Sequence, residues 1–309
     1  MQDAPNSFWM ASTPVTDYPE IQTDLKVDVA IVGGGIVGIT TAYLLKKQGV
    51  KVAVIEADRI LQGTTGHTTA KITSQHHLIY ARLKKQLGQE LAQQYADANE
   101  SAIHLIAHTA AENKIDCDFS WRPAYVYTQS EQYLKDLEDE ARAACSLGIK
   151  ASYMDHSPLP FSVQAALRFD NQAQFHPLKY LKSLAQHIPE EGSHILENTT
   201  AVSIDQDSRA VITRQGRKVT ADKIIIASHF PFFDGGGMYF TKLDPQRAYI
   251  IAIKAQEPLP EGMFISAESP SRSLRSQPYE DGELILIAGE SHPTGEGTDL
   301  QSHYENLLG

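Results

Sequence analysis

The residues best suited to chemistry lie between Val27 and Glu56, in the segment VDVAIVGGGIVGITTAYLLKKQGVKVAVIE. Gly33, Gly35 and Gly38 have the spacing G-x-G-x-x-G, which binds a dinucleotide pyrophosphate when it joins a strand to a helix. The first glycine allows a tight turn, the second lets the backbone approach the phosphates, and the third lets the helix pack closely on the strand. Glu56 ends the segment, and its carboxylate can accept hydrogen bonds from ribose hydroxyls.

The elements around the glycines are those that the motif requires. An apolar, β-branched run precedes them at Val27–Val32, a helix is predicted over 36–48, and Gly49 is suited to cap its C-terminus. The apolar run Val50–Ile55 then leads to the acidic residue. Strand, glycine turn, helix, strand and acid in one continuous unit predict a nucleotide-binding βαβ fold, with the helix N-terminus facing the phosphates. An acid at position 56 favours NAD or FAD over NADP.

Composition and charge limit the classes of protein to which the chain can belong. The 309 residues are 42% hydrophobic, which is enough for about two globular domains. Asp plus Glu number 38 and Lys plus Arg 27, a net charge of -11 that argues against nucleic acid or an anionic membrane as partner. No apolar run approaches the length of a membrane span, and no signal-peptide pattern occurs near the N-terminus. We therefore expect a cytoplasmic protein.

No metal site is predicted. His104 and His108 lie four residues apart on a predicted helix, but no third ligand accompanies them. Cys117 and Cys145 form neither a metal-binding nor a C-x-x-C pattern, and they are expected to be reduced thiols.

The remaining sequence predicts a polar loop, two long helices and a strand-rich second half. Residues 1–26 are expected to form an extended arm, and the polar, hydroxyl-rich stretch 63–74 is a candidate for ligand contact because of its closeness to the glycine motif. Helices are predicted over 81–113, 131–147 and 177–188, and the stretch ALRFDNQAQF before Pro177 is expected to be irregular. Short strands are predicted at 119–128, 148–154, 193–197, 201–205, 210–214, 223–228, 248–254, 263–267 and 284–288.

Three segments, in order, resemble the glycine/D-amino-acid oxidase (DAO) superfamily of FAD-dependent oxidoreductases. They are DVAIVGGGIVGITTAYLL with VAVIEADRI, GTTGHTTAKIT, and FHPLKYLKSLA with AVSID and ADKIIIAS. The opening NSFWM, GTTGHTTAK and LILIAGESHPTGEG look most like the bacterial subgroup in which a C-terminal Rieske [2Fe–2S] domain follows the flavoprotein. The resemblance implies an α/β fold: a Rossmann-like FAD-binding domain of the glutathione-reductase type over 1–115 and 165–240, and an antiparallel-sheet substrate domain over 116–164 and 241–309.

The resemblance also implies FAD rather than NAD, bound without a covalent link. The residues that it assigns to the cofactor are Gly33, Gly35, Ile36, Val37, Gly38, Glu56, Ala57, Arg59, Thr64, Thr65, His67, Thr68, Lys71, Val202 and Ala227. His67 falls near the position where dimethylglycine and sarcosine dehydrogenases carry a histidine joined to the flavin, and an exposed loop histidine is the alternative. Lys71 near the flavin N5 could stabilise negative charge or guide oxygen, and a surface lysine is the alternative.

Substrate chemistry is expected on the antiparallel domain. The superfamily takes a hydride from a carbon that bears an amine, often with an arginine on the substrate carboxylate. The candidates for catalysis and substrate binding are Lys71, Arg247, Arg272, Arg275, Tyr249 and His292. The alternative for the three arginines is that they are ordinary, solvated surface residues without a role in substrate binding.

The sequence departs from the family pattern at its end. Family members continue into a strand with a D-G-x-P-x-x-G type segment, and the subgroup then adds the Rieske domain, whereas this chain ends at YENLLG. We therefore expect a C-terminally truncated FAD-dependent oxidoreductase acting on an amine or amino acid, with electron transfer to an iron–sulfur domain outside this chain. Two alternatives are an NAD-linked dehydrogenase and a non-catalytic, dinucleotide-binding remnant.

Overall fold

Residues 6–296 and 299–308 are described by a computed structural model, and they fall into two units, each discontinuous in sequence. The first unit comprises the residues up to Thr68 together with His176–Asp244, and the second comprises Thr69–Phe175 together with the residues from Pro245 onward. The sequence predicts that 69–115 and 165–175 belong to the dinucleotide domain and 241–244 to the substrate domain, whereas this division places the first two ranges in the second unit and the third range in the first.

A six-stranded sheet forms the centre of the first unit. Its order is β7-β2-β1-β10-β9-β8. The strands are β1 (Leu25–Val32), β2 (Val52–Ile55), β7 (His194–Leu196), β8 (Ala201–Asp205), β9 (Ala210–Thr213) and β10 (Lys218–Ile226). The first four strands of that order pair in parallel, and β10, β9 and β8 pair antiparallel. Strand β2 and residues 29–32 of β1 are apolar because both faces are covered; Ala30 and Ile31, for example, have no exposed surface.

The described helices of the first unit are α1 (Phe8–Ala11), α2 (Ile36–Lys47) and α5 (Pro177–Gln186), with 3₁₀ turns at Thr64–His67 and Tyr239–Lys242. Helices α2 and α5 follow the predicted signals. Gly49, with φ of +78°, follows α2 as expected for a helix end. The N-terminal arm differs from its prediction, since α1 is a helical turn whose first amides are capped by the Ser7 hydroxyl.

The second unit contains an eight-stranded, mainly antiparallel sheet, ordered β11-β14-β13-β12-β4-β6-β3, with β5 paired to β6. The strands are β3 (Lys71–Ile72), β4 (Ser120–Thr128), β5 (Ala151–Met154), β6 (Ala165–Gln174), β11 (Gln246–Ile253), β12 (Met263–Ser266), β13 (Ser273–Tyr279) and β14 (Gly282–Pro293). Among the described strands of this second sheet, only β4 and β12 pair in parallel. The predicted α/β architecture, with a Rossmann-like part and a largely antiparallel part, is confirmed.

Two strands of this sheet differ from the sequence expectation because polar side chains occupy buried positions. The stretch expected to be irregular forms β6, where Gln172 and Gln174 are buried beside Leu167 and Phe169. The Gln172 carboxamide oxygen accepts a hydrogen bond from the Ser74 amide at 2.6 Å, so its polar group is satisfied inside the unit. β13 was not predicted at all. In both strands a buried polar residue breaks the apolar alternation that identifies a strand.

The helices of the second unit pack over this sheet. They are α3 (Tyr80–Glu112), α4 (Leu134–Ser146) and α6 (Leu300–Leu308). The buried Glu140 carboxylate of α4 accepts hydrogen bonds from the amides of Tyr80 and Ala81, both at 2.8 Å, which caps the N-terminus of α3. Contacts of this kind explain why α3 belongs to the second unit. In the described ranges, none of the helices is both long and apolar enough to cross a lipid bilayer.

Candidate functional site

The glycine turn between β1 and α2 brings three backbone segments into close contact. Gly33 has φ of +110°, and a Cβ added to it would lie 2.4 Å from the carbonyl oxygen of Ala227, which follows β10. A Cβ on Gly38 would lie 1.9 Å from the carbonyl oxygen of Gly33. Neither position accepts a side chain without moving the backbone, so these glycines allow the helix and both strands to approach one another.

Glu56 stabilises the glycine turn from the end of β2. Its Oε2 accepts a hydrogen bond from the Gly34 amide at 2.7 Å, and its Oε1 accepts one from the Asp58 amide at 3.2 Å. Each carboxylate oxygen has more than one acceptor site, so both retain capacity for a ligand hydroxyl. The Glu56 carboxylate therefore stabilises the turn and can still accept a hydrogen bond from a hydroxyl group of a ligand.

The loop Gly63–Thr68, which we call the threonine loop, reaches the N-terminus of α2. The Thr65 hydroxyl accepts a hydrogen bond from the Ile36 amide at 3.0 Å. A Cβ on Gly35 would lie 3.3 Å from that same hydroxyl oxygen. The loop thus contacts the end of the helix at which the macrodipole favours negative charge.

These elements enclose a cavity of about 820 Å³ in the first unit. Most residues predicted to bind the cofactor line it, namely Gly33, Gly35, Ile36, Val37, Glu56, Ala57, Arg59, Thr64, Thr65, Thr68 and Ala227. Gly38, His67, Lys71 and Val202 lie outside the lining, and Thr200 and Ala201 line it where Val202 was expected. The volume falls within the range of sites for small molecules and cofactors.

His67 and Arg59 have local partners. His67 is exposed, and its Nδ1 lies 2.9 Å from the Gly63 carbonyl oxygen, so Nδ1 is the donor and carries the proton. Arg59 donates to the Thr16 carbonyl, and its Nη1 lies 3.3 Å from Asp17 and 3.4 Å from the buried carboxylate of Glu197. The charge of Arg59 is thus already paired.

The sequence analysis missed the segment Ser228–Phe232, which lines the cavity beside the end of β10. The His229 Nδ1 lies 3.4 Å from the Thr64 hydroxyl. Ligands of parallel sheets bind at the carboxyl ends of the strands, so the end of a predicted buried strand was a usable signal for this segment. No sequence pattern indicates that Phe230 and Phe232 contribute to the lining.

The predicted catalytic residues lie in the second unit. Arg275 has no exposed surface; its Nη1 donates to the carbonyls of Ala70 at 2.8 Å and Phe175 at 3.3 Å, and its Nη2 donates to Gln277. Burial lowers its pKa, which the Asp118 carboxylate partly opposes. These contacts hold the guanidinium inside the sheet, and its burial rules out the alternative of a solvated surface arginine. The carboxylate-binding role of Arg275 stays a prediction.

Lys71 on β3 is a neighbour of this arginine. Its Nζ donates to the Phe264 carbonyl at 3.1 Å and to the Ser273 hydroxyl at 3.0 Å. Burial, and secondly the positive charge of Arg275, lower the pKa of Lys71 to about 7. A lysine with such a pKa is partly neutral at physiological pH and can exchange a proton there.

Replacing Lys71 by methionine is expected to flatten the pH dependence of stability in alkaline solution. The folded-state pKa of about 7 lies below the ordinary value of 10.5, so the unfolded chain binds more protons between these values. The free energy of unfolding of the unaltered protein therefore rises with pH across this window, and Lys71→Met removes that contribution. Urea unfolding between about pH 6.5 and about pH 9.5 measures the slope. The exposed Lys254 provides the control, since Lys254→Met should leave the slope unchanged; equal slopes for both variants would contradict the assignment.

The structure brings Tyr249 and His292 together on β11 and β14. The Tyr249 hydroxyl lies 3.0 Å from the His292 Nε2, and the His292 Nδ1 lies 2.9 Å from the Pro293 carbonyl oxygen. Because the carbonyl can only accept, the His292 Nδ1 carries a proton, and the His292 Nε2 shares a hydrogen bond with the Tyr249 hydroxyl. The His303 ring of α6 stacks on both, with centroid distances of 4.6 Å and 4.8 Å. This tyrosine–histidine pair is suited to proton transfer.

Arg272 lies on the segment before β13. Its Nη2 is 2.7 Å from the Glu290 carboxylate and 3.2 Å from the Asn306 carbonyl oxygen. Its Nη1 is buried with no hydrogen-bond partner among residues 6–296 and 299–308. Arg247, the third arginine considered, is exposed and pairs with His292 in the β11–β14 register.

Comparisons with known proteins identify the family. The model of the family described as DAO, FAD dependent oxidoreductase, matches residues 28–308. The chain is 42% identical over 307 residues to the Rieske 2Fe-2S iron-sulfur protein YhfW of Bacillus subtilis (strain 168), covering 99% of this chain and 60% of that protein. It is 24% identical to the gamma-glutamylputrescine oxidoreductase of Escherichia coli (strain K12), over 74% of this chain and 55% of that protein.

Solved structures share the fold. The L-proline dehydrogenase from P. horikoshii has a TM-score of 0.72 at 19% identity, covering 92% of this chain and 76% of that one. The glycine oxidase from Geobacillus kaustophilus has a TM-score of 0.67 at 18% identity, with the same coverage of 92% and 76%.

Proposed function

The chain belongs to the DAO family of FAD-dependent oxidoreductases, and from this premise we propose that it binds FAD non-covalently in the cavity of the first unit and oxidises an amine or amino acid. The observation that carries the proposal is the cavity itself, in which the glycine turn, Glu56 and the threonine loop meet. The chain spans 60% of the length of YhfW, the relative with 42% identity, so the activity is proposed and not transferred from it.

The cavity fits the adenosine and pyrophosphate parts of FAD. The glycine turn lines the cavity, and the N-terminus of α2 supplies amides and a positive dipole end for the pyrophosphate. Glu56 would accept hydrogen bonds from the ribose hydroxyls. Bound FAD supplies a hydride acceptor for the substrate carbon that bears the nitrogen.

We propose that Arg272, Tyr249 and His292 serve the substrate. The unpartnered Nη1 of Arg272 supports a role in binding a carboxylate, because a buried donor without an acceptor is costly. The hydrogen bond between Tyr249 and His292 supports a role in moving a proton from the substrate nitrogen. The name of the gamma-glutamylputrescine oxidoreductase supports an amine as the substrate class.

The visible spectrum of the purified protein, before and after acid precipitation, tests the cofactor. Flavin absorbance bands that move into the supernatant are expected for non-covalent FAD. Bands that remain in the precipitate would overturn the non-covalent assignment and direct attention to His67. A colourless protein that takes up NAD and not FAD would favour the NAD-linked alternative. A protein that binds FAD but is reduced by no amine or amino acid would favour the non-catalytic alternative.

Replacing Glu56 by glutamine is expected to weaken FAD binding by about tenfold or more, because hydrogen bonds to a charged acceptor contribute roughly 1.5–3 kcal/mol. A fluorescence titration of the FAD-free protein measures the dissociation constant. Glu191→Gln is the control, since this exposed glutamate lies in the same unit and pairs only with Lys46 in the contacts described. Equal affinities of the two variants would argue against a role of Glu56 in the ribose site.

For the electron acceptor we propose an iron–sulfur protein, supported by the name and the 42% identity of YhfW. With an amine substrate identified, electrons should reach an added Rieske-type protein faster than they reach dissolved oxygen. Faster transfer to oxygen would contradict this part of the proposal.

A further inference from the structure

The segment Ser7–Ser12, which we call the N-terminal clamp, is hydrogen-bonded to the threonine loop at two points. The Ser7 hydroxyl donates to the carbonyl of Gly66, and the indole Nε1 of Trp9 donates to the carbonyl of Thr68 at 2.7 Å. Both acceptors are backbone carbonyl oxygens, so these hydrogen bonds fix the backbone of the loop and do not involve the loop side chains.

Packing reinforces these two hydrogen bonds. Trp9 is only 3% exposed, which is unusual for a residue so near a chain terminus. A Cβ added to Gly66 would lie 3.1 Å from the Met10 sulfur and 2.9 Å from the Leu61 carbonyl oxygen. The loop backbone is thus held between the clamp and its own preceding residues.

The clamp is itself anchored on α5. The Trp9 ring meets the buried His176 ring edge-on at a centroid distance of 4.8 Å, and the Ser12 hydroxyl lies 3.0 Å from the His176 Nε2. His176 caps α5, because its Nδ1 accepts a hydrogen bond from the Lys179 amide at 3.3 Å. The clamp therefore joins the threonine loop to a helix that packs in the first unit.

The threonine loop connects the N-terminal clamp to the N-terminus of α2. Within the loop, Thr65 is almost fully buried and its hydroxyl accepts from the Ile36 amide at 3.0 Å, while Gly63 and Thr64 are exposed. Few hydrogen bonds internal to the loop fix its shape; the Gly66 amide donates to the Gly63 carbonyl at 3.0 Å. Fixing such a loop in one conformation costs conformational entropy. Ligand binding has to supply that free energy unless another segment already holds the loop in place.

We propose that the N-terminal clamp preorganises the threonine loop for FAD, and that Trp9 and Ser7 are positioning residues for the cofactor although they lie outside the cavity lining. The clamp keeps the Thr65 hydroxyl on the first turn of α2 and so holds one wall of the phosphate-binding region in place. The inference rests on the proposed FAD site of the first unit. Its consequence is that loss of one clamp hydrogen bond weakens FAD binding through the loop.

The Trp9→Phe variant tests the proposal, because phenylalanine keeps an aromatic ring against His176 and removes the N–H donor. The FAD dissociation constant should rise about 3- to 10-fold, as expected for one lost hydrogen bond. Trp121→Phe is the matched control; Trp121 is 45% exposed on β4 of the second unit, and its replacement should leave the dissociation constant unchanged.

Two further comparisons separate positioning from a general loss of stability. Ser7→Ala should weaken FAD binding, and Ser7→Thr, which keeps the hydroxyl, should restore it. In a Thr65→Val background, Trp9→Phe should change the dissociation constant by less than about twofold, because the hydroxyl through which the clamp acts is already absent.

Hydrogen exchange of the FAD-free protein gives a readout that does not depend on the cofactor. Trp9→Phe should speed amide exchange within residues 63–68 and leave the exchange of β1 and β10 unchanged. Unchanged exchange in the loop together with an unchanged dissociation constant would overturn the clamp while leaving the FAD site intact. If the unaltered chain binds no FAD, the proposed function and this inference both fail.

Discussion

Replacing Gly38 by alanine is expected to cost nearly all FAD binding, with a dissociation constant raised at least about 100-fold. The added Cβ would lie 1.9 Å from the carbonyl oxygen of Gly33, a backbone atom that cannot rotate away. The helix must then move off the strand, and the glycine turn that lines the cavity moves with it. Titration of the FAD-free variant with FAD, followed by flavin fluorescence, measures the loss.

A suitable control for this change is Gly282→Ala. Gly282 begins β14 in the second unit, and a Cβ there meets no atom within 4 Å, so FAD affinity should be unaffected. Circular dichroism of both variants should show retained secondary structure. An FAD affinity of Gly38→Ala within about threefold of the unaltered protein would refute the close packing on which the cavity depends.

Replacing Glu197 by alanine is expected to destabilise the first unit by about 3–5 kcal/mol, the usual cost of removing one partner from a buried, charged network. Its carboxylate has no exposed surface and accepts from the Thr16 hydroxyl, from the amides of Tyr18 and Ile60 at 3.0 Å each, and from Arg59. Alanine leaves the buried amide of Ile60 and the partly buried amide of Tyr18 without the carboxylate acceptor, and such losses are costly. Urea unfolding of the purified protein measures the change.

Glu191→Ala is the control for Glu197→Ala. Glu191 also pairs with a basic residue, Lys46 at 2.8 Å, but it is 84% exposed, and an exposed ion pair contributes little. Its replacement should change the free energy of unfolding by less than about 1 kcal/mol. Equal effects of the two changes would mean that the network around Glu197 is solvated.

The dinucleotide-binding unit was predictable because its information is local. Strand β1, the glycines, helix α2, strand β2 and Glu56 follow one another along the chain, and each has its own pattern of apolar residues or glycine spacing. The structure places the predicted acid on the amide of Gly34 within the turn itself. Short-range rules therefore sufficed for this part of the fold and of the site.

Strands β6 and β13 were not predictable in the same way. Their buried positions include Gln172, Gln174, Arg275 and Gln277, which a pattern of apolar alternation counts as exposed. What satisfies these polar groups comes from distant parts of the chain, such as the carbonyl of Ala70 for Arg275. Hydrogen-bond partners that lie so far apart along the chain cannot be predicted from the local sequence.

The local sequence was therefore enough to establish the βαβ nucleotide unit, the likeness to FAD-dependent oxidoreductases and the set of basic residues to consider. Only the tertiary structure distinguished the surroundings of those residues, since Arg275 is buried in the sheet whereas Arg272 has a donor atom without a partner among the described residues. It also brought Ser228–Phe232 to the cavity and Trp9 to the threonine loop. The physical reason is that burial and hydrogen bonding depend on which segments meet in space, and these segments are far apart along the chain.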